Sequence, residues 1–255
     1  MKDSSKYYLT DHYSWVKTET GTFMCAHETA DGLVYSVLSQ DKHTLIEGNA
    51  SYMEFKKNDK LVDSPSAAYI YRIQCPNLWD CIGTNIIRQV IRASQAKNMY
   101  RTFSEYVGER VILTGGIHYH LFPSPQKVLE TPDSIYQRMG MGFKKDVLKN
   151  AARFILEHAD RLEKIQAPDL LDELIKIHRV GSWTARATVA DYTNELATYP
   201  YGDAAIRFYA REALPRHEWP KEEVAFIQEL HKVAGVENIS SSIATLIMIH
   251  EIKRG

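Results

Sequence analysis

One stretch limits what this chain can fold into more than any other: residues 171–211, LDELIKIHRVGSWTARATVADYTNELATYPYGDAAIRFYAR. Leu171, Leu174, Ile175 and Ile177 recur at helical spacing and predict an amphipathic helix. His178-Arg179-Val180-Gly181 breaks it, with Gly181 able to take a backbone conformation that other residues resist. Ser182 is then expected to cap a second helix beginning near Trp183-Thr184-Ala185. Free amides at such a helix start, flanked by Lys176, His178, Arg179 and Arg186, make a natural seat for a phosphate. Beyond it, Tyr199-Pro200-Tyr201-Gly202 forces a turn and delivers one acidic residue, Asp203, to the start of another helix. Taken alone, this is two packed helices followed by an aspartate that serves either as an N-cap or as a reactive carboxylate.

Hairpin, aromatic loop and aspartate together resemble the helix-hairpin-helix and Gly/Pro-Asp signature of the base-excision DNA glycosylase superfamily. In that superfamily the hairpin grips the DNA backbone and the loop aspartate acts on a flipped-out base. The resemblance implies an α+β fold: a mainly helical glycosylase core, residues 75–255, preceded by a small antiparallel β-sheet domain, residues 1–74. It implies that Asp203 is the catalytic carboxylate, stabilising the cationic sugar as the base leaves and positioning the attacking water. Asp191, in the helix after the hairpin, is the alternative and is expected to make a polar contact within the fold. Arg179, Gly181, Ser182 and Thr184 are placed at the DNA backbone. The usual turn has Gly at both ends of its Gly-hydrophobic-Gly triplet, whereas this chain has Arg179-Val180-Gly181. Either Arg179 meets the phosphate directly or the hairpin is distorted. Members often hold an alkali ion on hairpin carbonyls, which here would be those of Ile175, Ile177 and Val180.

Elsewhere the chain changes character near residue 75. Apolar and β-branched residues on both sides of Asp31-Gly32 predict paired strands, and Leu45–Asn49 and Tyr52–Phe55 predict further ones. From Cys75-Pro76 onward the pattern is helical: a buried helix over 78–91 with a break at Gly83-Thr84-Asn85, then an amphipathic helix over 94–107. Asn85 matches the side chain that wedges into the gap left by a flipped base, or is an ordinary loop-facing asparagine. Ser124-Pro125 and Thr131-Pro132 each read as a helix opening. The sequence FPSPQKVLETPDSIYQRMGMGFKKDVLKNAA is most similar to the 3-methyladenine DNA glycosylase II branch, and Lys144 and Lys145 within it join the DNA-binding set. The resemblance spans roughly residues 75 to 250.

That branch carries a Trp where this chain has Trp183, two positions after Gly181, and an aromatic face suits a positively charged alkylated purine. Tyr201 and Trp79 are further residues for the substrate pocket, with core packing as the other reading of each. Bifunctional branches place a Schiff-base Lys where Trp183 stands, so hydrolysis by water without strand cleavage is expected. Three cysteines, none beyond Cys81, exclude the four-Cys iron–sulfur branch. His118-Tyr119-His120 has no carboxylate or Cys at a fitting spacing and is expected to be an exposed loop without metal.

Composition agrees with this reading and narrows it. No apolar run approaches the ~20 residues of a membrane span, and the start of the chain has no apolar signal core. The cysteine pattern suits a reducing cytoplasm, nucleoid-associated in a bacterium. A net charge of -1 excludes coating DNA by bulk charge but allows a local basic footprint. The expectation is therefore a monomeric, monofunctional glycosylase acting on double-stranded DNA with damaged bases, chiefly alkylated purines, and needing no cofactor. The alternatives are a glycosylase for deaminated or oxidised bases, or a non-catalytic module that binds damaged DNA.

Overall fold

The computed structural model describes residues 5–62, 67–162 and 164–254. Residues 1–4 and 63–66 of the expected N-terminal domain lie outside them. The strands are β1 (Lys6–Leu9), β2 (Val16–Lys17), β3 (Phe23–Thr29), β4 (Gly32–Leu38), β5 (Leu45–Gly48), β6 (Tyr52–Lys56), β7 (Tyr69–Ile73), β8 (Arg110–Leu113) and β9 (Ile117–His120). The helices are α1 (Leu78–Arg88), α2 (Ala93–Val107), α3 (Pro125–Glu130), α4 (Asp133–Arg138), α5 (Gly142–Leu162), α6 (Ala167–Ile175), α7 (Ser182–Thr193), α8 (Ala204–Ala213), α9 (Glu223–Ala234) and α10 (Ile239–Arg254).

The expected antiparallel sheet is present in the order β2-β3-β4-β5, with β3 and β4 joined at Ala30-Asp31 and Gly32 at φ +112°. A second sheet, β1-β7-β6, adds a parallel pair that residue pattern did not reveal. Parallel pairing needs a long connection, and here the whole first sheet lies between its two strands in sequence. Residues 118–120 are not the loop expected of them. They form β9, and buried Tyr119 packs beside Met24 and Ala26 of β3 while its hydroxyl donates to the Ser14 carbonyl (2.7 Å).

Two hydrophobic cores organise the helices. One gathers α1, α2, α5, α6 and the inner face of α7 around Ile82, Ile86, Phe103, Leu148 and Leu174. The other joins Leu9, Phe55 and Ile70 of the β1-β7-β6 sheet to Ile206, Phe226, Leu246 and Met248 of α8, α9 and α10. Glu251 near the end of α10 ties back to β1, accepting from Tyr7 and Thr10 and pairing with Lys42.

Helix α1 runs unbroken through Gly83-Thr84-Asn85, contrary to the expected break. Gly83 is there because a Cβ would stand 2.3 Å from the Phe122 ring, so the ring packs directly on helix backbone. The break falls instead at Val90, a β-branched residue at φ +62° and 99% exposed. Such a residue is strained there by about 1–2 kcal/mol.

Candidate active site and nucleic-acid interface

The hairpin forms as helix, turn and helix, with α6 leading into α7. Its conformational demand falls on a different residue from the one expected. Arg179 takes the left-handed conformation (φ +68°), while Gly181 sits at φ −86° and caps α7. The expected cap, Ser182, is the first helical residue. Arg179 thus preserves the turn rather than distorting it, at the strain cost of a side chain where Gly is favoured. His178, Arg179, Gly181 and Ser182 are all exposed at the N-terminus of α7, with open space in front of Gly181. Thr184 does not share that surface. It is buried, and its Oγ1 accepts from Gln89 Nε2 at 2.8 Å.

Gln89 also reaches the Arg179 carbonyl at 3.4 Å, so the turn carrying Val90 is stitched to the hairpin. Lys144, expected at the DNA backbone, is buried and donates to the Gln89 carbonyl. Burial pushes its amine down to about 8. Lys145 pairs with Asp133 at 2.6 Å and Asp146 at 3.5 Å. Lys144 thus shapes the helices rather than offering free charge, while Lys145 stays in a surface ion-pair cluster. Asn85, matched to the wedge, is fully buried. Its amide donates to Asp191 Oδ2 at 2.8 Å and to the Cys81 carbonyl at 3.0 Å, so it cannot reach a duplex. The exposed apolar residue of this junction is Val90, which sequence reading missed because a left-handed Val leaves no composition signal.

Asp203 caps a helix with one oxygen and turns the other toward the aromatic side chains of the site. Oδ1 accepts the Ile206 amide at 2.9 Å and starts α8. Oδ2 receives the Trp183 indole N–H and the Tyr199 hydroxyl, each at 3.3 Å. The aromatic partner from the loop is therefore Tyr199. Tyr201, expected in the pocket, turns toward α9, where its hydroxyl lies 3.2 Å from His231 Nε2. Trp79 is also elsewhere: it packs on Phe122 and donates to the Pro123 carbonyl at 2.7 Å.

Arg88, at the last turn of α1, completes the site. Its guanidinium donates to Tyr199 (2.9 Å) and Asn85 (2.9 Å), lies 3.8 Å from Asp191, and sits over the Trp183 ring at 5.3 Å. Burial disfavours its charge, but Tyr199 and the carboxylates of Asp191 and Asp203 outweigh that, and Arg88 stays protonated. Burial pushes the Tyr199 hydroxyl well up, so it remains a neutral donor to Asp203. Asp191 makes the structural contact expected of it, with Oδ1 held by Arg72 at 2.6 Å. Arg72 in turn binds Asp11 (2.8 Å) and Asn194 (2.8 Å), a buried network that ties β7 to the end of α7.

The cavity beside this group is lined by Tyr13, Arg88, Asp191, Tyr199, Ile206 and Tyr209 and holds about 100 Å³. That is well below the ~300 Å³ at the small end of ligand sites. Roomier cavities of about 770 and 520 Å³ lie away from Asp203, against the β3–β4 hairpin and against β2 and β9. The larger is lined by Asp80, which accepts from Tyr100 and Thr84, but neither holds Asp203, and size alone does not make them reactive.

No protein-family model matches the sequence, and no curated protein sequence matches it. Solved structures do match its fold. The 3-methyladenine DNA glycosylase from Archaeoglobus fulgidus aligns over 94% of this chain and 90% of its own, with TM-score 0.65 and 14% identity. The Clostridium acetobutylicum 8-oxoguanine glycosylase/lyase, bound to double-stranded DNA with cytosine opposite 8-oxoguanine, aligns over 96% and 90%, with TM-score 0.64 and 14% identity. MBOgg1 in complex with a low-affinity DNA ligand covers 96% and 90%, with TM-score 0.61 and 16% identity. Over 94–96% of its length the chain has the α+β fold of these DNA glycosylases.

Proposed function

We propose that this chain is a DNA glycosylase that hydrolyses the N-glycosidic bond of a damaged base swung out of a duplex. The observation that carries the reading is Asp203: one oxygen is fixed by the α8 amide, and the other is held between Trp183 and Tyr199 beside the Arg88 cavity. As the base departs, positive charge develops on the sugar, and a carboxylate already oriented stabilises it without reorganising. The same oxygen orients the attacking water. Gly181, Ser182 and Arg179 grip the backbone phosphate with amides and one cation. Val90, exposed beside them, enters the gap left by the base. An alkali ion on the carbonyls of Ile175, Ile177 and Val180 would add positive charge at that seat. Ile177's carbonyl keeps one lone pair for it after accepting the Val180 amide (2.9 Å).

Trp183, in the place of a Schiff-base Lys, supports hydrolysis without strand cleavage. Its face also supports an alkylated, cationic purine as substrate, the first reading. Arg88 supports a second. A guanidinium already over Trp183 repels a cationic base and offers N–H donors to the carbonyl oxygens of an oxidised or deaminated one. Base release from duplexes carrying 3-methyladenine, 7-methylguanine, 8-oxoguanine or uracil separates the two, with strand breaks expected only after alkali. Arg88→Gln should raise release of cationic bases and lower release of carbonyl-bearing ones by about tenfold each if the second reading holds. Release of no base by the wild-type chain would leave the fold as a damage-binding module.

A further inference from the structure

Four side chains with no part in that chemistry meet at the other end of α1. His12 comes from the loop after β1, His27 from β3, Cys75 from the link after β7 and Asp80 from the first turn of α1. One ligating atom of each lies within 4.8 Å of the others, and all four residues are buried. His27 Nδ1 stands 2.9 Å from Asp80 Oδ2 and 3.5 Å from Cys75 Sγ. We propose that His12, His27, Cys75 and Asp80 bind a structural zinc ion that pins the N-terminal sheets to α1.

Donor type, spacing and surroundings all agree. A thiolate, two imidazoles and a carboxylate make a four-ligand set suited to zinc. With bonds of about 2.0–2.3 Å, the edges of a tetrahedral site are about 3.3–3.8 Å, so the observed separations need adjust by only about 1 Å or less. The supporting contacts that orient metal ligands are in place. Ser14 Oγ lies 3.3 Å from His27 Nε2 and 2.8 Å from His12 Nδ1, while Tyr100 (3.0 Å) and Thr84 (3.2 Å) donate to Asp80. His12 Nε2 is buried without a hydrogen-bond partner among the described residues, a cost that a metal bond would remove.

A thiolate and a carboxylate buried side by side are balanced by one divalent cation held with two neutral imidazoles. The cluster is not a nucleophilic triad, because His27 faces thiol and carboxylate with the same nitrogen and so cannot relay a proton between them. Four protein ligands fill a tetrahedral site and leave no open coordination position for substrate, which makes the ion structural.

The test uses the full chain purified from zinc-supplemented growth, with metal content measured by plasma mass spectrometry. About one zinc per chain is expected. Stripped protein should recover it in titration against a chromogenic chelator, and cobalt in its place should give a thiolate charge-transfer band. Cys75→Ser should abolish that band, and Cys25→Ala should leave it. His12→Gln, which keeps the side chain's bulk and a polar end, should stay folded by near-ultraviolet circular dichroism yet weaken zinc binding on the order of 100-fold. A folded wild-type chain that binds zinc no more tightly than His12→Gln, or cobalt without a thiolate band, overturns the proposal.

Discussion

Helix α1 has a buried polar group at each end, about 12 Å apart over the eight residues from Asp80 to Arg88. At the start, His27 and Asp80 pair with side chains only 3% and 4% exposed. At the end, Arg88 keeps 22% of its side chain exposed and stands beside Asp203 and the open Val90 turn. Both ends hold unlike charges close together, and both shift the titration of the groups involved. What separates them is access: the sealed end can hold a structure together, while the open end can meet a substrate. Perturbed ionisation alone would not distinguish them.

The comparison can be broken most forcefully at Arg72, which links β7 and the loop after β1 to Asp191 at the open end. Arg72→Met strips the buried Asp191 of its closest cation and the half-buried Asp11 of its partner, and should cost about 3–5 kcal/mol in urea unfolding. A loss under 1 kcal/mol would mean the network is not a structural support. A smaller effect should appear at Val90, with stability and activity moving apart. Val90→Gly relieves a strained backbone, so the thermal midpoint should hold or rise, while binding to abasic duplex should fall roughly tenfold with the lost apolar contact. Parallel loss of both would make Val90 a folding residue instead. The smallest effect is expected at Arg179. Arg179→Gly should stabilise the hairpin by up to about 1 kcal/mol and lower the slope of log binding against log salt by about one. An unchanged slope would remove Arg179 from the phosphate contacts.

Local chemistry was readable in the sequence, and convergent chemistry was not. The β3–β4 hairpin, the Ser124 cap on α3, the α6–α7 hairpin and the Asp203 turn all follow from neighbouring residues, whose turn and capping preferences act over a few positions. Gly83 was misread as a break because a glycine that admits a ring looks the same in sequence as one that frees a backbone. Tyr199 and Tyr201 are two residues apart in one turn, and only the path of that turn decides which meets Asp203. Lys144 sits in a basic stretch yet is spent on the Gln89 carbonyl. Arg88 and the four residues at the sealed end come from segments as far apart as residues 12 and 80, with no spacing that pattern reading could recognise.

The most direct measurement is single-turnover base release, comparing wild type with Asp203→Asn on the duplex that the lesion panel identifies. Asn caps a helix as well as Asp does, so the variant should unfold at nearly the same temperature and bind the duplex within a few-fold of wild type. Its rate of release should fall by about 10²–10⁴-fold, the range expected when a positioned carboxylate is removed. Release at an unchanged rate by a folded Asp203→Asn chain would contradict Asp203 as the reacting carboxylate.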